Sequence, residues 1–268
     1  MSTIAVPIAF QTRLARTELE KGLRLMWRRR SLVVAGTIVY GASYLGISLF
    51  IGGGYLVKDL MVRTVPALLA VVVASVAAVE GTAGIAEETN GGPLEQTRLS
   101  PASPQLQVLA RMGALAIEGL AAAIALGIVF VFGVGLDINP HPAALIPAVL
   151  TILDALGYGL IMTALVVRVA SVGAISHVGN MAIMAFGGML VPISVFPHGL
   201  QIFARFIPTA LGVESINTTL ASDGLGATWS DGTLPWLLVH TAVVIVVGLT
   251  LYVINIRHAQ REGGLSPR

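Results

Sequence analysis

The chain has 268 residues, of which 55% are hydrophobic and only 11% are charged. A soluble domain of this length carries about 25% charged residues, and it could not bury so much apolar surface. The formal net charge of +2 is too small to say much about partners, and the absence of cysteine excludes disulfides, thiolate metal sites and a cysteine nucleophile. Composition therefore favours a membrane protein, and the Ala, Val, Gly and Arg bias is typical of a GC-rich bacterium.

The first thirty residues form a charged segment ahead of the first apolar run, which is the reverse of the order in a signal peptide. Helical spacing predicts an amphipathic helix, with Lys21, Arg24 and Arg28 on its basic face and Trp27 at headgroup depth. The apolar face comprises Ile8, Ala15, Leu19, Leu23 and Met26. We expect this helix to lie along the inner leaflet, although a generic basic segment flanking the first span would also explain the charges.

Six apolar runs approach or exceed the roughly 20 residues that a membrane-spanning helix needs. They lie at Ser31–Gly52, Val65–Ile85, Gln105–Gly135, Ala143–Val167, Val172–Phe196 and Leu234–Ile256. No run alternates as the strands of a transmembrane barrel do. The sequence therefore predicts an all-α membrane protein with six transmembrane helices.

The positive-inside rule sets the expected orientation. With the N-terminus inside, 13 of the 16 Lys and Arg residues are cytoplasmic, and Lys58, Arg63 and Arg205 are outside. Both basic termini then lie in the cytoplasm, which requires an even number of spans. We expect an interfacial segment at residues 1–30, a transmembrane domain at 31–256 and a cytoplasmic tail at 257–268.

The loop between the second and third spans, residues 86–104, carries its own helix signals. Gly91 and Gly92 end the preceding helix, and Pro93 suits the first position of a short helix that runs to about Leu99. Ser103 is expected to cap the third span, which Pro104 opens. The sequence thus predicts a helix–turn–short helix–turn–helix unit on the cytoplasmic face.

This loop resembles that of the type V ABC exporter permeases, the membrane subunits of antibiotic and polysaccharide exporters. The matching segments are Gly92-Pro93-Leu94-Glu95 and Ser100-Pro101-Ala102-Ser103-Pro104, with Pro93 where the family often has Thr. The resemblance implies that the loop is a coupling helix that docks in a groove of an ATPase subunit. The coupling residues it implies are Glu88, Pro93, Leu94, Glu95, Arg98, Leu99 and Ser100.

A second resemblance to this family follows the fifth span. A Gly-rich span end at Gly187 and Gly188 leads to two prolines, Leu200-Gln201 and Phe206-Ile207-Pro208, with Ile207 where the family usually has Asn. The resemblance implies an external hairpin, residues 192–222, of two short helices that re-enter the outer leaflet. We expect it to form an outer gate, although a surface helix would also fit; its candidate residues are Pro192, Pro197, Phe203 and Glu214.

The chain has no Gly-rich loop ending in Lys-Ser or Lys-Thr that could cradle a nucleotide. We therefore expect no catalytic residue and no cofactor on this chain, with ATP and Mg bound by a partner. The resemblance implies an ABC ATPase dimer and a second permease, either the same chain or a homologue, as partners in the bacterial inner membrane. Nothing indicates nucleic-acid binding.

Polar groups inside spans need an explanation, because a charged residue at the bilayer centre costs about 2.5–3.5 kcal/mol on insertion scales. Glu80 and Glu118 either form an inner vestibule for a cationic substrate or are hydrated or paired with Arg111 or Arg168. Asp154 is expected to be buried and partnered. The polar residues of the fifth span are expected either to form interhelical hydrogen bonds or to line the translocation path. The candidate translocation path comprises Glu80, Glu118, Asp154, Tyr158, His177 and Asn180. His177 has no second metal ligand at helical spacing, and His141, His198 and His240 are likewise isolated.

Gly119, Ala123 and Gly127 form a small-residue stripe on the third span, which indicates close helix packing within the chain or against a second permease. An intramembrane enzyme is disfavoured, since no complete catalytic motif is present. An ion-coupled secondary transporter would show inverted repeats, and none is evident. Because aromatic residues are only 6%, export of a small amphipathic drug, antibiotic or lipid is favoured over the alternative, polysaccharide export.

Overall fold

A computed structural model describes residues 8–91, 103–168 and 172–261, and these residues form helices and turns without strands. Five of the helices are long and apolar enough to cross a membrane. The prediction of an all-helical, multi-pass membrane protein is therefore confirmed for this part of the chain. The run predicted as the fifth span contains only a shorter apolar helix, so the six-span topology and the cytoplasmic location of the termini stay predictions.

The helices, in chain order, are α1 (Ile8–Arg28), α2 (Arg30–Ile51), α3 (Lys58–Ser75), α4 (Gly81–Gly91), α5 (Pro104–Ile128), α6 (Leu145–Val166), α7 (Val172–Phe186), α8 (His198–Ala204), α9 (Ala210–Ala221), α10 (Gly226–Ser230) and α11 (Thr233–Arg261). A π turn at Val76–Glu80 joins α3 to α4, so that one continuous helix runs through both. A second π turn, Val129–Gly133, extends α5.

Two predicted boundaries were wrong. The second span begins at Lys58 rather than Val65, so that Pro66 lies inside α3. The fifth apolar run was expected to be helical to Phe196, but α7 ends at Phe186. The glycines explain the early end, because Gly188 has a φ of +88°, which residues with a side chain rarely adopt.

The predicted amphipathic helix is present as α1, and it packs against the start of α5. A Cβ atom on Gly22 would lie only 2.4 Å from the Cβ of Ala114, so the two helices touch where Gly22 has no side chain. The predicted helix start after the loop is also confirmed. The Ser103 side chain accepts a hydrogen bond from the Leu106 N–H at 3.3 Å, and Pro104 occupies the first turn of α5.

Most residues of α3 are buried, which places this helix at the centre of the bundle. The small-residue stripe on α5 faces it, since a Cβ on Gly119 would lie 3.1 Å from the Cα of Val73. Gly127 faces Leu69 at 3.7 Å in the same way. These contacts support the internal-packing interpretation of the stripe.

Gly159 lets α6 approach the first π turn. A Cβ there would lie 2.5 Å from the Cβ of Ala77 and 2.7 Å from its carbonyl carbon, so the backbone of one helix would have to shift to make room for it. We expect Gly159→Ala to lower the free energy of unfolding by about 1–3 kcal/mol, the usual cost of overpacking. Gly46→Ala is the matched control, because nothing lies within 4 Å of its Cβ position. Denaturant unfolding in detergent measures both, and equal stability of the two variants would contradict the close approach.

Candidate functional site

A partly buried cluster of charges lies at the connection between α1 and α2. Arg29, the residue between these helices, forms an ion pair with Glu80 at the end of the first π turn. Its second terminal nitrogen lies 3.6 Å from a carboxylate oxygen of Glu118 on α5. Glu118 is only 3% exposed, so one guanidinium joins two acidic side chains from two other elements.

From the sequence, Arg111 or Arg168 was the expected partner of these carboxylates, and Arg29 was not foreseen. The physical reason is that Arg29 sits in a run of three arginines, and helical spacing does not tell which one points inward. In the folded chain the connection between α1 and α2 turns Arg29 toward the bundle, while its neighbour Arg30 stacks over the Trp27 ring at 5.3 Å.

A cavity of about 330 Å³ opens beside this cluster, between α1, α4 and α5. Seven of its lining residues are ionisable: Glu18, Glu80, Glu87, Glu118, Lys21, Arg29 and Arg111. Four acidic against three basic groups give the lining a formal charge of −1. The other lining residues are glycine, alanine and leucine, among them Leu25 and Leu115. A pocket that places apolar side chains beside charged groups suits a small amphipathic molecule.

A second cavity, of about 240 Å³, adjoins the first and shares Glu80 and Glu118 with it. It lies along α2 and α3 and is lined by Tyr40, Ser75 and His177 as well as by apolar side chains. The two carboxylates therefore lie at the junction of two cavities, one lined by α1, α4 and α5 and the other mainly by α2 and α3.

A hydrogen-bond network closes the inner end of the second cavity. The Tyr40 hydroxyl bonds to the Ser75 hydroxyl, and the Asn180 amide donates to Tyr40 at 3.0 Å and to Ser75 at 3.4 Å. The network joins α2, α3 and α7. Ser75 is the last residue before the first π turn and Glu80 is the last residue in it, so the π turn carries both into the same cavity. Such turns are frequent at functional sites.

The structure divides the six residues predicted for the translocation path. Glu80, Glu118 and His177 line the second cavity, and Asn180 bonds to its wall. Tyr158 instead packs α6 against α7, where its hydroxyl lies 3.4 Å from the carbonyl oxygen of Ser176. Asp154 lies apart from both cavities and pairs with His240, 2.8 Å away. The expectation of a buried, partnered Asp154 is confirmed.

Two of the four residues predicted for the outer gate, Pro192 and Glu214, line a separate cavity of about 490 Å³. Glu214 also lies 3.5 Å from Arg205. Pro197 directly precedes α8, and the Phe203 ring packs edge-on against Phe186 with 5.3 Å between centroids. The two short helices that the resemblance implies are present as α8 and α9.

The predicted coupling helix lies outside the described residues, and with it Pro93, Leu94, Glu95, Arg98, Leu99 and Ser100. The backbone of Glu88 belongs to α4, but its side chain is also outside the described part. The structure describes the two helices on either side of the predicted coupling helix. Helix α4 ends at Gly91, and α5, capped by Ser103, begins at Pro104.

A family model for ABC-2 type transporters matches residues 14–220. The chain belongs to this family. The match runs from α1 to α9 and so includes the charged cluster, both adjoining cavities and the predicted gate. No curated protein matches the chain closely enough to add an individual relative.

Membership of the ABC-2 family makes this chain the membrane permease subunit of an ABC transporter, a transport subunit that is not itself catalytic. Permeases of this family typically work with an ATPase subunit. The helix α11 and its His240 lie beyond the matched range. The two short helices of the hairpin in this ABC-2 permease were predictable from the sequence, and the coupling helix stays a prediction. Arg29, Tyr40 and Ser75 were missed because their partners are distant in the chain.

Proposed function

We propose that this ABC-2 permease exports a small amphipathic molecule, such as a drug, an antibiotic or a lipid, across a bacterial inner membrane. ATP is hydrolysed by a separate ATPase dimer, and a second permease completes the route. The single observation that carries the proposal is the pair of adjoining cavities that meet at Glu80 and Glu118.

The cavities favour a substrate with both an apolar body and a positive group. Leucine, valine and alanine supply the apolar part of their walls, three of twelve lining residues in the first cavity and six of thirteen in the second, and such side chains accept apolar groups. At the junction two carboxylates face one guanidinium, so an acidic charge remains for a ligand cation. An anionic group is disfavoured there, since Arg29 already bridges Glu80 and Glu118 and these three side chains together carry a formal charge of −1.

Coupling to ATP hydrolysis follows from the continuous helix. The loop at residues 86–104 docks on the ATPase, and α4 connects it directly to the π turn and α3. When the ATPase dimer closes, a push on the loop tilts this helix and moves Glu80 relative to Glu118. The substrate is then released toward the outer gate at residues 192–222. A ligand-driven shift between two permease states is the minimum that such coupling requires.

The test uses inside-out membrane vesicles that contain the permease with its copurifying ATPase, and it follows uptake of ethidium, an amphipathic cation. We expect uptake that needs ATP and survives a protonophore. Glu118→Gln should reduce it about tenfold, because a charge-assisted contact contributes about 1.5–3 kcal/mol.

Glu20→Gln is the control, since Glu20 is a half-exposed residue of α1 that pairs with Arg16 and Arg24 and does not line the cavities. Its uptake should match that of the parent. Uptake that ignores ATP and collapses with the protonophore would contradict the proposal in favour of an ion-coupled carrier. Equal uptake by the Glu118 and Glu20 variants would show that the Glu118 carboxylate does not contribute to substrate binding.

A further inference from the structure

Asp154 is a buried acid that neither cavity uses, and each of its oxygens is held by a different element. One oxygen lies 2.8 Å from Nδ1 of His240 on α11. The other accepts a hydrogen bond of 2.7 Å from the backbone N–H of Thr209, the residue directly before α9. Asp154 is only 1% exposed. One carboxylate on α6 therefore ties together α6, α11 and the hairpin at residues 192–222.

Thr209 is held in an unusual backbone conformation at this contact. Its φ is +73°, in the left-handed region that β-branched residues avoid, and the residue is fully buried. Such strain persists only where the surroundings over-determine the backbone. The short hydrogen bond to Asp154 provides one such constraint, and the packing of Gly212 provides another. A Cβ on Gly212 would lie 1.9 Å from the hydroxyl oxygen of Thr151, so α9 lies directly against α6.

The contact also lies deep along the helices. Asp154 is nine residues from the start of α6 at Leu145, which corresponds to roughly 14 Å along the helix axis. Non-helical backbone at membrane depth is tolerated only where protein or water satisfies its polar groups. The N–H of Thr209 is such a group, and the carboxylate of Asp154 satisfies it.

From this geometry we infer that Asp154, held by His240, is the positioning residue that anchors the hairpin against α6 and α11. Outward movement of the hairpin requires the Thr209 N–H to leave the carboxylate, so this bond sets how readily the hairpin moves. That the movement opens a gate rests on the proposed function. The anchoring itself does not, because it is a property of the permease alone.

The test measures whether a buried hairpin position becomes reachable from water. The chain contains no cysteine, so Ala204→Cys, at a fully buried site that ends α8, gives a single reporter. Membranes carrying the permease without ATP are treated with a membrane-impermeant maleimide. We expect Asp154→Ala to raise the labelling rate about tenfold or more, because a charge-assisted hydrogen bond to buried backbone is lost. Asp154→Asn keeps an acceptor oxygen and should raise it far less.

Two controls separate release of the hairpin from general loosening. Ala74→Cys, fully buried in α3, should stay unlabelled in every background. Thr163→Val alters another fully buried polar residue of α6, remote from the hairpin, and should leave labelling at Ala204→Cys unchanged. Thr209→Gly keeps the N–H and relieves the left-handed strain, so it should not speed labelling.

An unchanged rate in Asp154→Ala would overturn the inference, and so would equal labelling at the α3 reporter, which would make Asp154 a general stabilising residue. If Asp154→Ala does not accumulate in the membrane, Asp154→Asn decides, since a rate no faster than the parent's in that weaker acceptor also overturns it. Labelling needs neither ATP nor substrate. If export fails while the labelling rates follow the expected pattern, the result counts against the proposed function and leaves the inference about Asp154 standing.

Discussion

Arg29→Met is expected to destabilise the permease by about 3 kcal/mol, the lower end of the cost of breaking a buried ion pair. The change removes the cation that joins Glu80 and Glu118 and leaves Glu118, which is 3% exposed, without this partner. The lower end applies because the Arg29 side chain keeps 32% of its surface exposed, and that of Glu80 keeps 34%. Thermal unfolding of the detergent-solubilised protein measures the loss.

If loss of the ion pair causes this destabilisation, two further results are expected. Adding Glu118→Gln to Arg29→Met should recover part of the stability, because the buried charge that was left over is removed. Arg24→Met, on the exposed face of α1 with its side chain 82% exposed, should change stability by no more than about 0.5 kcal/mol. If the double variant were as unstable as Arg29→Met, lost packing of the arginine stem would be the better explanation.

Charged residues at Leu94 and Leu99 are expected to abolish coupling. We predict that Leu94→Glu combined with Leu99→Glu reduces ATP-dependent export at least tenfold, while ATP hydrolysis by the partner continues. The reason is that each leucine buried in a docking groove contributes about 1.5–3 kcal/mol, and a tenfold loss of affinity needs only about 1.4 kcal/mol. Export and hydrolysis are measured on the same vesicles.

The control for this loop is Leu94→Met combined with Leu99→Met, which keeps the apolar character and nearly the same volume. It should export at close to the parental rate. Both double variants should reach the membrane in equal amounts, because residues 86–104 lie outside the predicted spans. Full export by the folded glutamate variant would show that the loop does not dock through these leucines.

The local features of this protein were readable from its sequence. Apolar runs predicted four of the five membrane-length helices closely, because a run of oily residues has a single stable solution in lipid, a helix that satisfies its own backbone. The capping signals at Ser103 and Pro104 were equally local and are confirmed. The run at residues 172–196 misled because hydropathy continues through Gly187 and Gly188, whereas the backbone turns there.

Pairings across the bundle could not be predicted in this way. Arg29 meets Glu80 across 51 residues of sequence, and Asp154 meets His240 across 86. Each pair forms because two helices pack at a particular rotation, and rotation depends on shape at contacts such as Gly22 with Ala114. A helical pattern shows which residues share a face and does not show which face another helix will meet.

The sequence by itself therefore determined that this chain is a helical membrane protein, and its loop and hairpin motifs indicated the permease family that the family match confirms. Only the tertiary structure decided that Glu80 and Glu118 join two cavities and that Asp154 holds the hairpin. The physical reason is the range of the forces. Lipid solvation and capping act on one segment at a time, whereas a buried charge needs a partner, and close packing of several helices decides which one it meets.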